Sequence, residues 1–278
     1  MTTGTLPSAN EKVIVSSEGG NAGGNVKHLI EYFDRAYIIN LVDRPDRRRQ
    51  VKREFRLAGI SIPNEKVQFY TALRPADKGR FHSVGVRGCF TSHRNVLELA
   101  NREGLRNVLI LEDDVSFRGV GAAFVRELTM QLSREDWDVA FLAYLLPPEE
   151  ALKDVKRPLT RWPNDILGAH FYAVNGRFIQ TILQYMYECE LRPRDHPLGG
   201  PMPADGAYNH VRYVMPNINL FVSVPGLAHQ RSSRTDIGDT TAFDKLVWLS
   251  PILRGLRVIK HWRRMAVDKN TLRYLAKR

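Results

Sequence analysis

A run of apolar residues that ends in three consecutive acids constrains the fold of this chain most strongly. Residues 107–111 read as a buried β-strand, and Glu112, Asp113 and Asp114 follow it directly. An ionised carboxylate is costly to bury unless it is paired, solvated or bound to a cation, so we expect the acids at the mouth of the strand. Ligands of open α/β sheets bind beyond the carboxyl ends of the strands, and Mg²⁺ commonly takes carboxylates together with substrate phosphates. The pattern therefore indicates a metal–diphosphate site, and a strand exit with solvated acids is the alternative.

Strand-like and helix-like segments alternate along the chain. A β-prone run at residues 36–41 precedes a helix that begins near Asp43 and Pro45 and ends at Gly59. Later strand-like runs lie at residues 67–71, 139–143, 170–175 and 220–224, and later helices are one capped by Thr91 or Ser92 and ended near Gly104, one at 121–132 and one after Gly176. This alternation predicts an α/β fold with a mostly parallel sheet flanked by helices.

The composition divides the chain into three parts. Residues 1–30 are expected to form a flexible tail, because the first 27 are rich in Gly, Ser, Asn and Thr. Residues 31–240 form the α/β domain, in which residues 192–206, with four prolines and three glycines, are expected to be a loop. Residues 241–278 are expected to form a basic amphipathic helical tail. That tail either lies on anionic lipid or packs on the domain with a basic outer face.

The charge balance favours anionic partners. Lys and Arg total 41 against 30 acids, which gives a formal net charge of +11. Such a surplus suits nucleotide phosphates, an acidic glycolipid, a membrane face or nucleic acid. The basic residues are spread along the chain and no nucleic-acid-binding module is recognisable, so we expect no nucleic-acid partner.

The cysteines and the apolar runs indicate the compartment. Cys89 and Cys189 are far apart in sequence and resemble neither a disulfide framework nor a zinc cluster, which favours a reducing compartment and two small buried side chains. No apolar run reaches bilayer-spanning length, and the first residues lack the pattern of a signal peptide. We therefore expect a cytoplasmic protein, peripheral at the inner face of the membrane.

Four segments in the same order resemble the motifs of glycosyltransferase family 25, the lipooligosaccharide galactosyltransferase-like enzymes that are related to collagen galactosyltransferases. They are Tyr37-Ile38-Ile39-Asn40-Leu41 with the following Asp43-Arg44-Pro45-Asp46-Arg47-Arg48, Gly88-Cys89-Phe90-Thr91-Ser92-His93, Leu109-Ile110-Leu111-Glu112-Asp113-Asp114-Val115, and Gly168-Ala169-His170-Phe171-Tyr172-Ala173-Val174. The likeness covers about residues 35–237. The chain departs from the family at Val86 and Arg87, where a Glu is often found, and residues past 240 match no known segment.

The resemblance implies a fold and a reaction. The fold would be GT-A-like, which is a Rossmann-like α/β architecture. The reaction would be an inverting sugar transfer that depends on a divalent metal, Mn²⁺ or Mg²⁺. The donor would be a UDP-sugar, most commonly UDP-galactose. The acceptor would be a saccharide or glycolipid of cell-surface polysaccharide or lipooligosaccharide biosynthesis.

The resemblance also implies metal ligands among the acids. Asp114 would bind the metal directly, while Glu112 and Asp113 would help to hold the metal or the ribose of the donor. In many GT-A enzymes a late histidine completes the metal shell, and His229 after the turn Pro225-Gly226 is the candidate here.

Four further residues are candidates for donor binding. Asn40 and Leu41, at the end of the first strand, would lie near the base or ribose by analogy. The fork of the Arg47 guanidinium suits a phosphate, with a solvated basic helix face as the alternative. His93 would line the donor pocket, or would pack against the sheet as a structural residue. Ser92 and His93 do not form a hydrolase pair, because adjacent residues on a helix do not face each other.

Inversion requires a base that removes the proton of the acceptor hydroxyl. Asp205, in the loosely matching segment Pro203-Ala204-Asp205-Gly206, is the candidate, and a simple turn aspartate is the alternative. Asp195 and Asp236 are competing candidates. Two other functions remain open: a non-catalytic relative that keeps the fold as a binding or scaffold module, and a nucleic-acid-binding protein. The intact acidic trio argues against the first of these.

Overall fold

A seven-stranded sheet forms the centre of the molecule in the computed structural model, which describes residues 22–145 and 157–231. Its strands are β1 (Arg35–Asn40), β2 (Val67–Thr71), β3 (Asn107–Glu112), β5 (Val139–Ala143), β6 (Leu159–Arg161), β7 (Phe171–Asn175) and β8 (Leu220–Ser223). Their order across the sheet is β2-β1-β3-β7-β5-β8-β6. Two further strands, β4 (Val115–Phe117) and β9 (Ala228–Gln230), pair in a separate ribbon. The predicted tail at 241–278 and most of the predicted tail at 1–30 lie outside the described residues.

Most strands of the sheet run in one direction. β1 is parallel to β2 and β3, and β5 is parallel to β8. β7 lies antiparallel between β3 and β5, and β6 is antiparallel to β8. Five of the seven strands therefore share one direction, which confirms the predicted α/β fold with a mostly parallel sheet.

Helices cover both faces of this sheet. They are α1 (Ala22–Tyr32), α2 (Pro45–Leu57), α3 (Val84–Arg102), α4 (Ala122–Arg134), α5 (Gly176–Leu191) and α6 (Ala204–Val214). Successive strand side chains point to opposite faces, so Val108 and Ile110 pack in one core layer with α3, α5 and α6. Leu109 and Leu111 pack in the other layer with α1, α2 and α4. Among the described residues, no helix combines the length and apolar character that a bilayer crossing needs.

The structure moves the start of α3 well before the predicted cap. The helix begins at Val84, and the Ser83 side chain caps it by accepting a hydrogen bond from the Val86 backbone N–H. Ser92 is therefore not a cap: it lies inside the helix, where its Oγ donates to the Gly88 carbonyl and accepts from the Leu73 backbone N–H. The prediction was wrong here because the first turns of α3 carry two glycines and little apolar periodicity.

Two other segments are helical where the composition indicated none. α6 begins at Ala204 after Pro203, so Asp205 lies in the first helical turn and not in a loop. α1 begins at Ala22, so the expected boundary at residue 30 falls inside a helix whose apolar side chains enter the core. In both cases Gly or Pro residues at the edge of the segment concealed the amphipathic pattern that follows.

The β4–β9 ribbon completes the region around the acids. β4 leaves the acidic turn directly, and its pairing with β9 sets Val115 opposite Gln230. The Arg231 backbone N–H donates to the Asp114 carbonyl at 2.7 Å, and its guanidinium donates to the Asp113 carbonyl at 2.8 Å. The late part of the chain is thereby fastened to the turn that carries the acids.

Candidate functional site

Asp113 is the acid of the trio whose two carboxylate oxygens both accept hydrogen bonds from protein side chains. Its Oδ2 accepts a 2.7 Å hydrogen bond from Asn40 Nδ2, and its Oδ1 accepts a 3.0 Å bond from the Arg47 guanidinium. Burial raises the pKa of Asp113, although the bonds from Asn40 and Arg47 act in the opposite direction. Both carboxylate oxygens are thus engaged, and Asp113 ties the acidic turn to the end of β1.

Asp114 differs because one of its oxygens accepts no hydrogen bond from the part of the chain that the structure describes. The side chain is about as buried as that of Asp113, and its Oδ2 accepts a 3.1 Å hydrogen bond from Gln230 Nε2. Arg47 lies 3.6 Å from the same Oδ2. Oδ1 has no hydrogen-bond partner among the described residues. Burial, followed by the charge of Glu112, raises the pKa of Asp114 to about 7. The cost of burying this carboxylate is therefore only partly offset, by the Gln230 hydrogen bond and by Arg47.

The two carboxylate oxygens of Glu112, the last residue of β3, contact different side chains. Its Oε2 accepts from Gln230 Nε2 at 3.3 Å. Its Oε1 lies 3.4 Å from His93 Nε2 and 4.0 Å from the Cys89 thiol. Burial raises the pKa of Glu112, but the hydrogen bond and charge of His93, with further positive groups, outweigh it and leave that pKa below its usual value. The Glu112 carboxyl therefore has a lower pKa than that of Asp114.

Gln230 is a site residue that the sequence reasoning missed. Its amide bridges Glu112 and Asp114, whereas the adjacent His229 is exposed and pairs along the ribbon with Ser116. Alternation along β9 accounts for this, since consecutive residues of a strand face opposite sides. His229 lies outside the described linings of both cavities at the site, and its metal role stays a prediction.

A cavity of about 320 Å³ opens beside the acids, at the carboxyl ends of β1 and β3. Ile39, Leu41 and Leu73 line its apolar part, and His93 and Arg47 join the acids at its polar part. Leu41 thus lines this cavity, and its contact with the base or ribose of a donor stays a prediction. Asn40 is absent from the described lining, because strand alternation turns it from Ile39 and Leu41 toward Asp113. Asn40 thus contacts Asp113, which lines the cavity.

A second cavity of about 250 Å³ adjoins the first. Cys89, Glu112 and Gln230 line both cavities and so form their common wall. Asp205 lines only the second: its Oδ2 accepts from the Gly168 backbone N–H at 2.8 Å and its Oδ1 from that of Gly206 at 2.9 Å. These bonds hold the carboxylate at the amino end of α6, apart from the first cavity.

His170 also lines the second cavity, and the sequence reasoning assigned it no role. Its side chain is 1% exposed, and neither ring nitrogen has a hydrogen-bond partner among the described residues. Burial is the main cause that lowers the pKa of His170, so the ring is neutral near pH 7. A buried polar ring without a partner is uncommon, which points to a ligand contact. The sequence held one signal that could have identified His170 as a site residue: it lies between Gly168 and Tyr172 in the fourth motif.

Of the two competing base candidates, only Asp195 is among the described residues, and it lies away from this site. Asp195 is exposed in a turn after α5 and does not appear in the described lining of either cavity. Asp236 lies outside the described residues. Of the two proposed base acids that the structure describes, Asp205 is the one that lines the second cavity.

The model of glycosyltransferase family 25, described as an LPS biosynthesis protein family, matches residues 33–198. The chain belongs to glycosyltransferase family 25. The match begins just before β1 and ends after α5, so it includes the acidic turn and most of the lining of both cavities, but neither Asp205 nor Gln230. The resemblance found in the four sequence motifs is thereby confirmed.

Curated relatives of this family-25 chain match it over part of their length. A Drosophila melanogaster protein named glycosyltransferase 25 family member is 34% identical over 154 residues, 50% of this chain and 24% of that protein. The human inactive glycosyltransferase 25 family member 3 is 29% identical over 128 residues, 40% of this chain and 22% of that protein. Xenopus laevis procollagen galactosyltransferase 1-B is 28% identical over 149 residues, 45% of this chain and 24% of that protein. The chain thus spans about a quarter of the length of these relatives.

Among solved structures, this family-25 chain is similar to a nucleoside-diphosphate-sugar pyrophosphorylase from Vibrio cholerae RC9. The sequence identity is 14% and the TM-score is 0.33, over 78% of this chain and 84% of that chain.

The residues at the acidic turn fit a divalent cation. Within the described ranges, Asp114 Oδ1 is a buried carboxylate oxygen without a hydrogen-bond partner, and the Glu112 carboxyl is its neighbour. The Gln230 side chain spans both acids and offers a further amide oxygen if its amide turns. Hard cations such as Mg²⁺ and Mn²⁺ prefer such oxygen donors. The Arg47 guanidinium lies closer to Asp113, at 3.0 Å, than to Asp114, at 3.6 Å.

Proposed function

We propose that this chain is an inverting glycosyltransferase that moves a sugar from a UDP-sugar donor to a saccharide or glycolipid acceptor. The observation that carries the proposal is that Oδ1 of buried Asp114 has no hydrogen-bond partner in residues 22–145 and 157–231. This oxygen lies at the edge of a cavity that a family-25 chain builds at the carboxyl ends of its strands. Because the chain spans only part of its relatives, its activity and substrates rest on this local chemistry.

The first cavity would take the nucleotide part of the donor. Its volume lies at the lower end of the range of about 300–1,000 Å³ typical of ligand pockets. The apolar part near Ile39, Leu41 and Leu73 suits a base and ribose. The polar part suits a diphosphate because Arg47 and Arg74 line it together with the acids. A donor in this orientation would place its sugar toward the common wall with the second cavity.

Asp114 and Glu112 would hold the divalent metal, Mn²⁺ or Mg²⁺. When bound, the cation stabilises the negative charge that the diphosphate gains as it departs. Asp113 would act as a positioning residue, because Asn40 and Arg47 already engage both of its oxygens. Arg47 would then serve two purposes: it orients Asp113 and supplies positive charge at the phosphate end of the cavity.

The second cavity would take the acceptor, with Asp205 as the base. The acceptor hydroxyl oxygen would form a bond to the anomeric carbon of the donor sugar while the bond from that carbon to the diphosphate breaks on the opposite face. Asp205 would accept the hydroxyl proton in the same step. Its two backbone hydrogen bonds fix the carboxylate, and each oxygen keeps a lone pair for the incoming proton. His170 would make a hydrogen bond with one of the sugars, either as donor or as acceptor.

The finer assignments follow the names of the family and its relatives. The family description names LPS biosynthesis, and one relative is named a procollagen galactosyltransferase. We therefore infer UDP-galactose as the first donor to examine and a cell-surface saccharide or glycolipid as the acceptor class. The net charge of +11 supports an anionic acceptor presented at a membrane face.

A panel of UDP-sugars tested for hydrolysis and transfer, with Mn²⁺, with Mg²⁺ and with a chelator, examines the proposal. We expect metal-dependent turnover of one donor and its loss in Asp114→Ala. Asp136→Ala is the matched control, because Asp136 is an exposed acid before β5, at the opposite end of the strands. Near-native turnover in Asp114→Ala, or turnover unaffected by the chelator, would refute the metal assignment.

A non-catalytic member of the family is the second candidate function. The name of the human relative, which describes it as inactive, favours considering it. The intact Glu112, Asp113 and Asp114 weigh against it. Binding of UDP-sugar and metal by calorimetry, without turnover of any donor in the panel, would support this second candidate.

A further inference from the structure

Three side chains of different chemistry converge at the common wall of the two cavities. Cys89 and His93 lie four residues apart on α3, which puts them on one face of the helix, and Glu112 meets them from the end of β3. The Glu112 Oε1 lies 3.4 Å from His93 Nε2 and 4.0 Å from Cys89 Sγ. The three potential ligand atoms all lie within 4.8 Å of one another.

These separations approach the dimensions of a tetrahedral metal site. Zinc binds sulfur at about 2.3 Å and nitrogen or oxygen at about 2.0–2.1 Å, which places neighbouring tetrahedral ligands about 3.3–3.6 Å apart. The nitrogen–oxygen separation already matches this distance. The Cys89 sulfur lies 4.0 Å from Glu112 Oε1 and within 4.8 Å of the His93 nitrogen, so the Cys89 side chain would have to rotate toward both on binding a metal.

His93 is oriented as a metal-binding histidine usually is. Its Nδ1 makes a 2.8 Å hydrogen bond with the Tyr172 hydroxyl, and the Tyr208 hydroxyl donates to that of Tyr172 at 3.3 Å. The His93 ring is fully buried and stacks on Tyr172. A hydrogen bond at one ring nitrogen fixes the ring so that the other nitrogen presents to a metal. Here that other nitrogen, Nε2, faces Glu112.

We propose that Cys89, His93 and Glu112 form a binding site for a thiophilic transition metal such as Zn²⁺. This site is separate from the hard-cation site proposed at Asp114. Thiolate and imidazole ligands suit Zn²⁺, whereas Mg²⁺ and Mn²⁺ prefer oxygen. Glu112 serves the two sites with different oxygens, since Oε1 faces Cys89 and His93 while Oε2 faces Gln230 and thus Asp114.

The position of the site suggests what the metal does. Cys89 and Glu112 line both cavities, so an ion bound between them lies at the boundary of the donor and acceptor spaces. The ion connects α3 to the end of β3 and fixes Glu112, while the fourth coordination position stays open to water or a ligand. On binding, the Cys89 thiol releases its proton to solvent and coordinates as the thiolate.

Zinc binding to the purified, metal-stripped chain tests the proposal without any assay of sugar transfer. After dialysis against Zn²⁺, we expect one retained equivalent and an X-ray absorption spectrum with one sulfur neighbour at about 2.3 Å. Co²⁺ in place of Zn²⁺ should give a thiolate-to-cobalt charge-transfer band. Cys89→Ser should lose the sulfur neighbour and the band. Cys189→Ser, which changes the buried cysteine of α5, is the matched control and should keep both.

Two results would overturn the proposal: no sulfur neighbour around zinc bound to the unaltered chain, or the same spectrum and affinity in Cys89→Ser. The spectrum of the unaltered chain decides the matter even where Cys89→Ser fails to fold. An excess of Mn²⁺ should leave the sulfur-bound zinc in place, and its displacement would mean that the two sites are one. Because Asp114→Ala should keep the zinc spectrum, a failure of the proposed sugar transfer remains distinguishable from a failure of this site.

Discussion

Asn40 Nδ2 donates a 2.7 Å hydrogen bond to Oδ2 of Asp113, and this contact joins the carboxyl ends of the adjacent strands β1 and β3. Both residues are at least 95% buried. The acidic turn therefore depends on β1 for its orientation as well as on β3, from which it emerges.

Asn40→Ala should reduce both stability and donor binding. The substitution leaves a buried Asp113 oxygen without its donor, and such a loss costs about 1–3 kcal/mol. Urea unfolding measures the loss of stability, and calorimetry should report weaker binding of UDP. Asn101→Ala at the exposed end of α3 is the control and should change the free energy of unfolding by no more than about 0.5 kcal/mol. Equal unfolding curves for the two variants would contradict the role given to Asn40.

Gly88→Ala should destabilise the protein although alanine favours helices. A Cβ at Gly88 would lie 2.6 Å from the Leu73 carbonyl oxygen and 3.1 Å from Pro75 Cδ, so α3 would have to move away from the wall of the first cavity. The gain in helix propensity is only about 1 kcal/mol, and overpacking typically costs about 1–3 kcal/mol. The unfolding midpoint in urea should fall. Gly121→Ala is the control, because nothing lies within 4 Å of its added Cβ, and its midpoint should not fall.

Local sequence signals predicted the sheet and the acidic turn. The apolar run of β3 and the acids after it share one short segment, so periodicity and the cost of burying charge were sufficient to place them. The same holds for α2, whose Pro45 start and Gly59 end appear where the sequence placed them; Gly59 has a φ of +73°. Such features depend on neighbours within a few residues.

The remainder of the site depends on contacts between distant segments. The Asn40–Asp113 bond joins residues 73 positions apart, and Gln230 meets Asp114 across 116 positions. Which of His229 and Gln230 faces the acids is set by the register of β9 on β4, and a shift of one residue would exchange them. No local pattern contains that register. His170 likewise looks like a strand residue until the second cavity forms beside it.

Stability should depend on acidic pH through Asp34. The hydrogen bond from the Arg106 guanidinium, helped by the Arg106 backbone N–H, holds the pKa of Asp34 below its usual value, against the smaller opposing effect of burial. A depressed pKa contributes stability that is present above the unfolded value of about 3.9 and is lost as pH falls through the folded pKa. The melting temperatures of the unaltered chain and of Asp34→Asn should therefore differ at pH 7 and converge toward pH 3. A constant difference over that range would contradict the prediction.

His170→Leu should separate function from stability. No hydrogen bond of the described residues is lost with the His170 ring, so the free energy of unfolding should change by less than about 1 kcal/mol. His93→Leu is the contrasting variant: it loses the bond to Tyr172 and should cost about 1–3 kcal/mol. Transfer to the acceptor should nevertheless fall about tenfold in His170→Leu, the value of one ligand hydrogen bond of about 1.4 kcal/mol. Unchanged transfer, or a large loss of stability, would remove His170 from the ligand site.

Asp205→Asn should abolish transfer while donor binding persists. Asp205 lines the second cavity and is absent from the described lining of the first, so the affinity for UDP, measured by calorimetry, should not change. Loss of a general base lowers the rate about 10²–10⁴-fold, because asparagine cannot accept the acceptor proton. The amide oxygen can still accept from Gly168 or Gly206, so the fold should be kept. Asp195→Asn, which changes an exposed turn acid, is the control. A full transfer rate in Asp205→Asn together with a reduced rate in Asp195→Asn would reassign the base.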